Sequence, residues 1–276
     1  MIERFLDHKL GVGSAIFVVL IGIIAAAAPI VAPHNPVETN LTKLNSPPTL
    51  THPLGTDQVG RDVLSRIIFA TRVSFLVGLG VVAVQIIVGG GLGLISGYFG
   101  GTIGFLIQRL TEIVMSFPPI LLLIIGAVTI GHELPQIILI LGITRWTTLC
   151  RVMRGEVLSI RESEFIESAK AIGSSKLRIM AKHILPNTIA VISVNASFGM
   201  AQAIISEATL SFLGLGIPLP TPTWGNMLKN AQSTTVLLKR PWLWLSPGLA
   251  IVVTVLSINF IGDALRDASD PYTNEA

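Results

Sequence analysis

The sequence has little charge and almost no cysteine. Charged residues make up 13% of its 276 residues, against roughly 25% in a soluble globular domain. A single cysteine, Cys150, excludes an internal disulfide framework and a cysteine-rich metal site. The five histidines have no HxxxH or HExxH spacing, and neither a G-x-x-x-x-G-K-[ST] loop nor a G-x-S-x-G motif occurs. The sequence therefore predicts no catalytic residue, no metal site and no ATP hydrolysis by this chain.

Long uncharged blocks take the place of a mixed polar surface. Because about 20 apolar helical residues cross a bilayer core, these blocks indicate a polytopic membrane protein. The blocks without Asp, Glu, Lys or Arg are 11–32, 73–108, 113–131, 188–206 and 242–261. With turns at Gly100-Gly101 and near Pro135, they predict an all-α membrane protein with six transmembrane helices. We place the helices near residues 11–32, 73–98, 104–130, 135–151, 187–210 and 242–264.

The first apolar run and the positive charges predict the topology. The run has 22 residues, longer than the 7–15 of a signal-peptide core, so we interpret it as an uncleaved span. With a cytoplasmic N-terminus, inside segments hold 11 of the 19 Lys and Arg and outside segments hold 7. Seven of the inside cations lie in the short loop 151–187. Because most of the chain's cations flank apolar spans, the net charge of +3 does not predict a nucleic-acid partner. The positive-inside rule therefore predicts that both termini are cytoplasmic.

The chain divides into three parts on this reading. Residues 1–72 hold the first span and an external loop, residues 73–266 hold five further spans, and residues 267–276 form a tail. The external loop ends in an amphipathic segment, Asp62 to Arg72. This segment predicts a helix lying at the membrane interface before the second span. A simple turn into the second span is the alternative.

The loop 151–187 is too patterned for a plain connector. Ser159 and Glu162 form an S-x-x-E pattern, which predicts the start of a helix. Gly173 and Pro186 are suited to close two successive short helices. Apolar residues recur at helical spacing at Phe165, Ile166, Ala169 and Ile172. The loop therefore predicts a helix–turn–helix knob whose apolar face docks on a partner.

The same loop resembles a known family. Glu167-Ser168-Ala169, then Gly173, then Leu185-Pro186 are similar to the "EAA" loop of ABC-importer permease subunits, E-A-A-x-x-x-G followed by I-x-L-P. Ser168 replaces the first alanine, and His183 stands at the usual isoleucine, with Ile184 beside it. The resemblance implies that the knob is a coupling helix seated in a cleft of an ATPase subunit. Glu167, Ala169 and Gly173 would be its core.

Three further motifs narrow the resemblance to the dipeptide/oligopeptide/nickel permease group and its C-type subunit. The first is an external motif, HPLGTD from His52 with Gly60-Arg61-Asp62, in which Gly55 and Asp57 also belong to the pattern. The second is SFLGLG from Ser211, followed by WGNM from Trp224. The third is GDALRD from Gly262, followed by Asp270-Pro271.

This resemblance implies the fold of a type I ABC-importer permease in a bacterial inner membrane. It further implies a heterodimer with a second homologous permease, two ATPase subunits that bind ATP and Mg²⁺, and an extracytoplasmic solute-binding protein. No cofactor would be bound by this chain, whose other neighbour is membrane lipid. Dipeptides or oligopeptides are the expected cargo, and nickel or a metal chelate is the alternative. An ion-coupled secondary transporter is a second alternative, disfavoured because Glu207 is almost alone among carboxylates at membrane depth.

Ionisable and helix-breaking residues inside the spans are further candidates. Glu207 and Arg145 are costly in a membrane, so each should face a partner or a watery cavity; structural pairing and a place on the translocation path both remain open. We expect Glu207 to help shape an external gate. Pro118-Pro119 should kink the third span, either for gating or as static packing. Polar candidates for the path are Gln85, Gln108, Asn195, Gln202 and Asn259, and a small-residue ridge for helix packing is Gly89, Gly93, Gly97 and Gly101.

Overall fold

A computed structural model describes residues 2–269, which form helices and connecting loops. The motif residues Asp270 and Pro271, and most of the predicted tail 267–276, lie outside the described residues. Within the described range the α-helices are α1 Ile2–Asp7, α2 Lys9–Ala26, α3 Ala28–Val31, α4 Val63–Val84, α5 Gly91–Phe99, α6 Gly101–Met115, α7 Pro119–Ile130, α8 Leu134–Arg161, α9 Glu164–Ala171, α10 Lys176–Ile179, α11 Leu185–Asn187, α12 Ile189–Phe212, α13 Trp224–Leu228, α14 Thr234–Lys239 and α15 Trp242–Ser269.

Six membrane crossings account for the long helices. Among residues 2–269, α2, α8, α12, α15 and the continuous helix Val63–Phe99 are each long and apolar enough to cross a bilayer. The bent pair α6 and α7 is the sixth crossing when its two helices are counted together as one span. The prediction of an all-α membrane protein with six transmembrane helices is confirmed.

The second crossing is longer than the sequence suggested. Helix Val63–Phe99 has 37 residues, about 55 Å at 1.5 Å per residue, and it runs through a π-helical turn at Gln85–Gly90 that joins α4 to α5. The segment from Asp62 to Arg72 is helical from Val63 onward, as predicted, but it does not precede the second crossing, because it is the beginning of α4. The alternative of a simple turn is wrong for the same reason. Its polar side is covered by the preceding loop, since Arg66 is buried and donates to the carbonyl of Pro36. The division drawn between residues 72 and 73 lies within α4.

The third crossing breaks at its two prolines. Helices α6 and α7 meet at an angle of 86° across residues 116–118. Neither Pro118 nor Pro119 has a backbone N–H to continue the helical bonding, and a residue before proline avoids helical geometry. Pro119 instead opens α7 at a position where proline is tolerated. The predicted kink is confirmed.

The glycine ridge packs α5 and its π-turn against α8. A Cβ atom on Gly93 would lie 2.5 Å from the Met153 Cβ and 2.7 Å from the Cys150 carbonyl oxygen, and one on Gly97 would lie 2.7 Å from the Val157 Cβ. A Cβ atom on Gly89 would likewise collide with the carbonyl oxygen of Trp146. The ridge therefore serves packing inside the chain. Its fourth member, Gly101, has no such neighbour and is the first residue of α6.

Candidate functional site

The knob, residues 162–187, follows directly on α8. The prediction that a capping box at Ser159 and Glu162 starts its first helix is wrong, because α8 continues to Arg161 and keeps Val157 in the core. Ser163 is the residue that precedes α9, and its hydroxyl donates to the Ile160 carbonyl at 2.6 Å. The polypeptide therefore turns immediately after α8 and leaves no flexible connector between them.

Gly173 ends α9 in the way the sequence predicted. Its φ is +79°, a left-handed conformation that side-chain-bearing residues rarely adopt. The Gly173 N–H donates to the Lys170 carbonyl at 3.0 Å and the Ser174 N–H donates to the Ala169 carbonyl at 3.1 Å. These two bonds form a Schellman motif, which satisfies carbonyls at the end of the helix. The Ser175 hydroxyl then accepts from the Arg178 N–H and caps α10.

The knob has a buried inner face and an exposed apolar outer face. Ile166 and Ala169 are buried in a core with Met153, Val157, Ile179 and Ile184. Phe165, Ile172 and Leu177 are exposed by 47%, 83% and 75%. The predicted apolar face of Phe165, Ala169 and Ile172 therefore does not stay together. Ala169 is buried with Ile166, whereas Phe165 and Ile172 point away from the core. We call Phe165, Ile172 and Leu177 the outer face.

Charged groups surround the inner edge of the knob. Glu167 and Ser168 are exposed, and Glu167 borders a cavity of about 380 Å³ that also touches Arg161 and Lys170. The Arg161 Nη1 atom donates to the carbonyls of Gly97 and Tyr98 at 3.3 and 3.2 Å, at the carboxyl end of α5. Arg161 thereby fixes the base of the knob to the second crossing. Leu185 and Pro186 are exposed where α11 leads into α12.

We call residues 33–62 the external loop, because the sequence predicts that they lie outside the membrane. Asp57 is the centre of hydrogen bonding in this loop. The Asp57 carboxylate accepts from the N–H groups of Val59 and Arg61, each at 3.0 Å, and from the Arg61 Nε at 2.7 Å. The Arg66 Nε lies 3.7 Å from the same carboxylate. Asp57 and Arg66 are both buried. Gly55 and Gly60 turn the chain around this pair with φ of +71° and +80°.

Asp62 ties the external loop to the beginning of α4. One carboxylate oxygen accepts from the Ser65 N–H and hydroxyl at 2.8 and 2.7 Å, which caps the helix. The other lies 2.9 Å from the His52 Nδ1. The His34 ring stacks on His52, with ring centroids 4.6 Å apart. His34, His52 and Asp62 together have the residue types and proximity that can hold a metal ion, a grouping that the sequence spacing did not predict.

The motifs at residues 52–62 and 211–227 border one cavity of about 500 Å³. Arg61 lines it from the external loop and Arg66 from the beginning of α4, while Ser211 lines it from the last turn of α12, and Gly214 and Lys229 from the segment that follows α12. Three cations thus face one depression on the side of the external loop. The resemblance motifs at residues 52–62 and 211–227 are therefore neighbours in space.

Glu207 lies on α12 beneath α13. It is 1% exposed, and its Oε1 accepts from the Ser211 hydroxyl at 2.6 Å. The Ser211 hydroxyl in turn lies 3.5 Å from that of Thr223. Gly225 of α13 sits directly against Ala208, where a Cβ atom would lie 2.5 Å from the Ala208 Cα. Glu207 therefore lies in a sealed polar cluster and borders none of the cavities described here.

Arg145 lies between two further cavities. Its Nη2 donates to the Ser206 hydroxyl at 2.6 Å. One cavity, of about 300 Å³, lies against the break of the third crossing and includes Phe117 and Pro119, on either side of Pro118. The other, of about 110 Å³, includes Gln85 and Asn195.

The polar candidates separate into two sets. Gln85, Asn195 and Gln202 border the cavities at Arg145, whereas Gln108 is half-buried and its Nε2 donates to the Glu112 Oε1 at 3.5 Å. Asn259 lies on α15 and borders neither cavity. The sequence reading missed Thr148 and Ser206. Positions 195, 199, 202 and 206 follow helical spacing on α12, and this periodicity is the signal that would have identified Ser206.

Known proteins match this chain over almost its whole length. The family profile described as "Binding-protein-dependent transport system inner membrane component" matches residues 89–274. The profile of the N-terminal transmembrane domain of oligopeptide transport permease C matches residues 1–48.

Individual relatives agree with both profiles. The dipeptide transport system permease protein DppC of Alkalihalophilus pseudofirmus is 40% identical over 98% of this chain and 88% of its own length. DppC of Bacillus subtilis is 35% identical over 98% and 84%. The glutathione transport system permease protein GsiD of Pectobacterium atrosepticum is 37% identical over 98% and 89%.

A solved structure agrees on the fold. A chain of the MetNI methionine ABC transporter superposes with a TM-score of 0.60 and 16% identity, covering 74% of this chain and 96% of that one. The profile match over residues 89–274 and the relatives of at least 35% identity settle the family. With its six crossings and its knob, the chain belongs to the family of binding-protein-dependent transport system inner membrane components, the permease subunits of ABC importers.

Proposed function

We propose that this permease subunit carries dipeptides or short oligopeptides, as one half of a path shared with a second homologous permease. The relatives that align over its full length are named for dipeptide and glutathione transport, and its N-terminal segment matches an oligopeptide permease profile. These names support a peptide cargo over nickel or a metal chelate. Family membership argues against an ion-coupled secondary transporter.

The outer face of the knob is the observation that supports coupling to an ATPase. The loop is rich in cations, yet it exposes the apolar side chains of Phe165, Ile172 and Leu177. The chain's own core is already filled on this side by Ile166 and Ala169, so these three side chains have no place in it. Exposed apolar patches of this kind mark protein–protein contacts. Two ATPase subunits, which would bind ATP and Mg²⁺, would each receive one such knob, one from each permease.

The anchoring of the knob suggests how movement would be transmitted. Arg161 binds the end of α5, and the glycine ridge holds α5 tightly against α8. A displacement of the knob would therefore move the second and fourth crossings together. In this arrangement both termini are cytoplasmic, and the external cavity faces a solute-binding protein. Apolar side chains exposed on α2 and α7 would be covered by inner-membrane lipid.

Three residues within the crossings receive roles in this proposal. Arg145 would line the path, because it borders two cavities and each of them has polar side chains in its wall. Pro118 would fix the break that forms one of those walls. Glu207 would hold the segment after α12 closed over the helix through Ser211 and Thr223, as part of the external gate.

The coupling proposal is tested by purifying the complex through a tag on this chain. Ile172→Asp with Leu177→Asp places two carboxylates on the outer face, and we expect the ATPase subunits to be lost from the purified complex. The matched control is Leu41→Asp with Leu50→Asp, since both leucines are strongly exposed in the external loop. Retention of the ATPases by the outer-face variant would reject the coupling role, and loss in both variants would show a general assembly defect.

The cargo proposal is tested by uptake in proteoliposomes that contain the complete importer and its binding protein. We expect ATP-dependent, vanadate-sensitive uptake of radiolabelled dialanine and no uptake of ⁶³Ni²⁺. Uptake that ignores vanadate would favour a secondary transporter. Uptake of nickel without dialanine would replace the peptide assignment by the alternative cargo.

A further inference from the structure

Arg145 is a cation in the middle of a membrane crossing. It belongs to the 28-residue helix α8 and is separated from the knob by several helical turns. Its Nη2 donates to the Ser206 hydroxyl, while its buried Nε–H has no acceptor within the described part of the chain. Among residues 2–269, Arg145 forms no ion pair with an aspartate or glutamate. A membrane-embedded guanidinium without a countercharge requires water or an anionic ligand.

The one carboxylate of the neighbouring helix α12 does not supply that countercharge. Glu207 follows Ser206 in sequence, but its carboxylate accepts from Ser211 in the sealed cluster beneath α13. Glu207 therefore does not neutralise the positive charge of Arg145, although it is the sequence neighbour of the Ser206 that Arg145 binds.

Polar side chains flank Arg145 in both cavities, although the larger cavity also has apolar walls that include Phe117 and Leu122. The cavities of about 300 and 110 Å³ share Arg145, Thr148 and Gln202, so the guanidinium forms the boundary between them. The first also includes Thr144 and Thr147, and the second includes Gln85 and Asn195. Hydroxyl and amide groups from α8, from α12 and from the π-turn thus converge on one cation. π-Turns inside α-helices often occur at functional sites.

We propose that Arg145 binds the terminal carboxylate of the peptide during its passage, an inference that rests on the proposed peptide cargo. A guanidinium presents a planar set of donors that matches a carboxylate, and the unpaired Nε–H leaves part of that set free. Every linear peptide carries one such carboxylate, whatever its side chains. Recognition at Arg145 therefore selects peptides as a class, and the threonine and glutamine side chains supply additional hydrogen bonds.

The same chemistry would accept a small inorganic anion, so the test must separate the two sources. The wild-type importer complex is purified with its partner subunits but without the binding protein, whose own selectivity would otherwise enter the measurement. Tritiated dialanine is titrated onto the complex and displaced by alanyl-alaninamide, which differs only at the carboxylate, or by chloride. We expect dialanine to bind about tenfold or more tightly than the amide, and chloride at equal concentration to displace little of it.

Three variants locate the effect. Arg145→Gln should remove the preference for dialanine over the amide, whereas Arg145→Lys should retain part of it by keeping the charge. The matched control is Arg151→Gln, because Arg151 is an exposed arginine of the same helix. That variant should keep the full preference. If the Arg145→Gln complex does not assemble, the test compares Arg145→Lys with Arg151→Gln. We then expect a smaller preference for dialanine over its amide in Arg145→Lys than in Arg151→Gln.

The contradicting outcomes are equally definite. Equal or absent binding of dialanine and its amide by the wild type overturns the inference, as does a preference that survives in Arg145→Gln. Displacement by chloride as strong as by dialanine overturns it in favour of a general anion site. In each case, wild-type uptake of dialanine with the binding protein present leaves the proposed cargo intact, and absence of that uptake rejects the cargo itself.

Discussion

The external loop buries its charged groups, whereas the knob exposes its apolar groups. In the loop, Asp57 and Asp62 are 4% and 3% exposed, and each carboxylate accepts several hydrogen bonds from the same segment or the helix that follows. In the knob, Ile172 and Leu177 are mostly exposed, and the turn is fixed by backbone bonds around Gly173.

The difference separates a self-contained structure from an incomplete one. A buried charge network that satisfies its own polar groups needs nothing further to be stable, although removal of one member is damaging. An exposed apolar face gains stability only when another surface covers it. The external loop is therefore expected to depend on its internal pairs, and the knob is expected to depend on its partner.

The largest effect is expected from Asp57→Asn. This change removes the countercharge of Arg61 and of the buried Arg66, and loss of one member of a buried pair costs about 3–5 kcal/mol. We expect a clear fall in the thermal unfolding temperature of the purified chain, and rapid proteolysis between residues 33 and 62. Glu38→Gln, a change of an exposed carboxylate in the same loop, is the control. An Asp57→Asn protein as stable as this control would show that the loop does not depend on its charge pairs.

A smaller, local effect is expected from Gly173→Ala. No atom outside the turn would obstruct the added methyl group, so the effect isolates the left-handed conformation, which costs roughly 1–2 kcal/mol for an L-residue. Amide hydrogen exchange across residues 164–175 should accelerate, while exchange in α8 stays unchanged. The control is Gly155→Ala, because Gly155 also has open space around it but lies inside α8 with ordinary helical geometry. Equal exchange in both variants would contradict the structural role of Gly173.

The smallest effect on the chain itself is expected from Ile172→Asp with Leu177→Asp. Both side chains lie outside the core, so the free energy of unfolding should change by no more than about 0.5 kcal/mol. Thermal unfolding of the purified chain without its partners measures this. A large loss of stability would show that the outer face supports the knob from within, and would remove the contrast with the external loop.

The sequence was informative wherever the signal was local. Apolar length predicted the crossings, the glycine spacing predicted close packing against another helix, and Pro118-Pro119 predicted the break. The position of Gly173 predicted the end of α9, because a helix that ends in a left-handed residue usually has glycine at that position. In each case the determining residues lie within one turn or one helix.

The sequence was less informative where distant residues decide. The sequence predicted one apolar face that includes Phe165 and Ile166, but only Ile166 is buried, because α8 continues to Arg161 and Arg161 fixes the base of the knob. The Asp57 network includes the bond from Arg66 to the Pro36 carbonyl, which joins residues 30 positions apart, and the Asp62 network includes His34. The depth of Arg145 was evident from sequence, but its cavities required the packing of α8, α12 and the broken crossing.

The break in the third crossing has a consequence for how the chain enters the membrane. Helices α6 and α7 have 15 and 12 residues, or about 22 and 18 Å of helix, and each is shorter than a hydrocarbon core of about 30 Å. Neither half can be released from the insertion machinery as a stable independent span, because its end would leave backbone groups unpaired in lipid. Helix α8, which packs on both halves, is synthesised only afterwards. The third crossing must therefore wait for the fourth, and the two are expected to integrate as one unit.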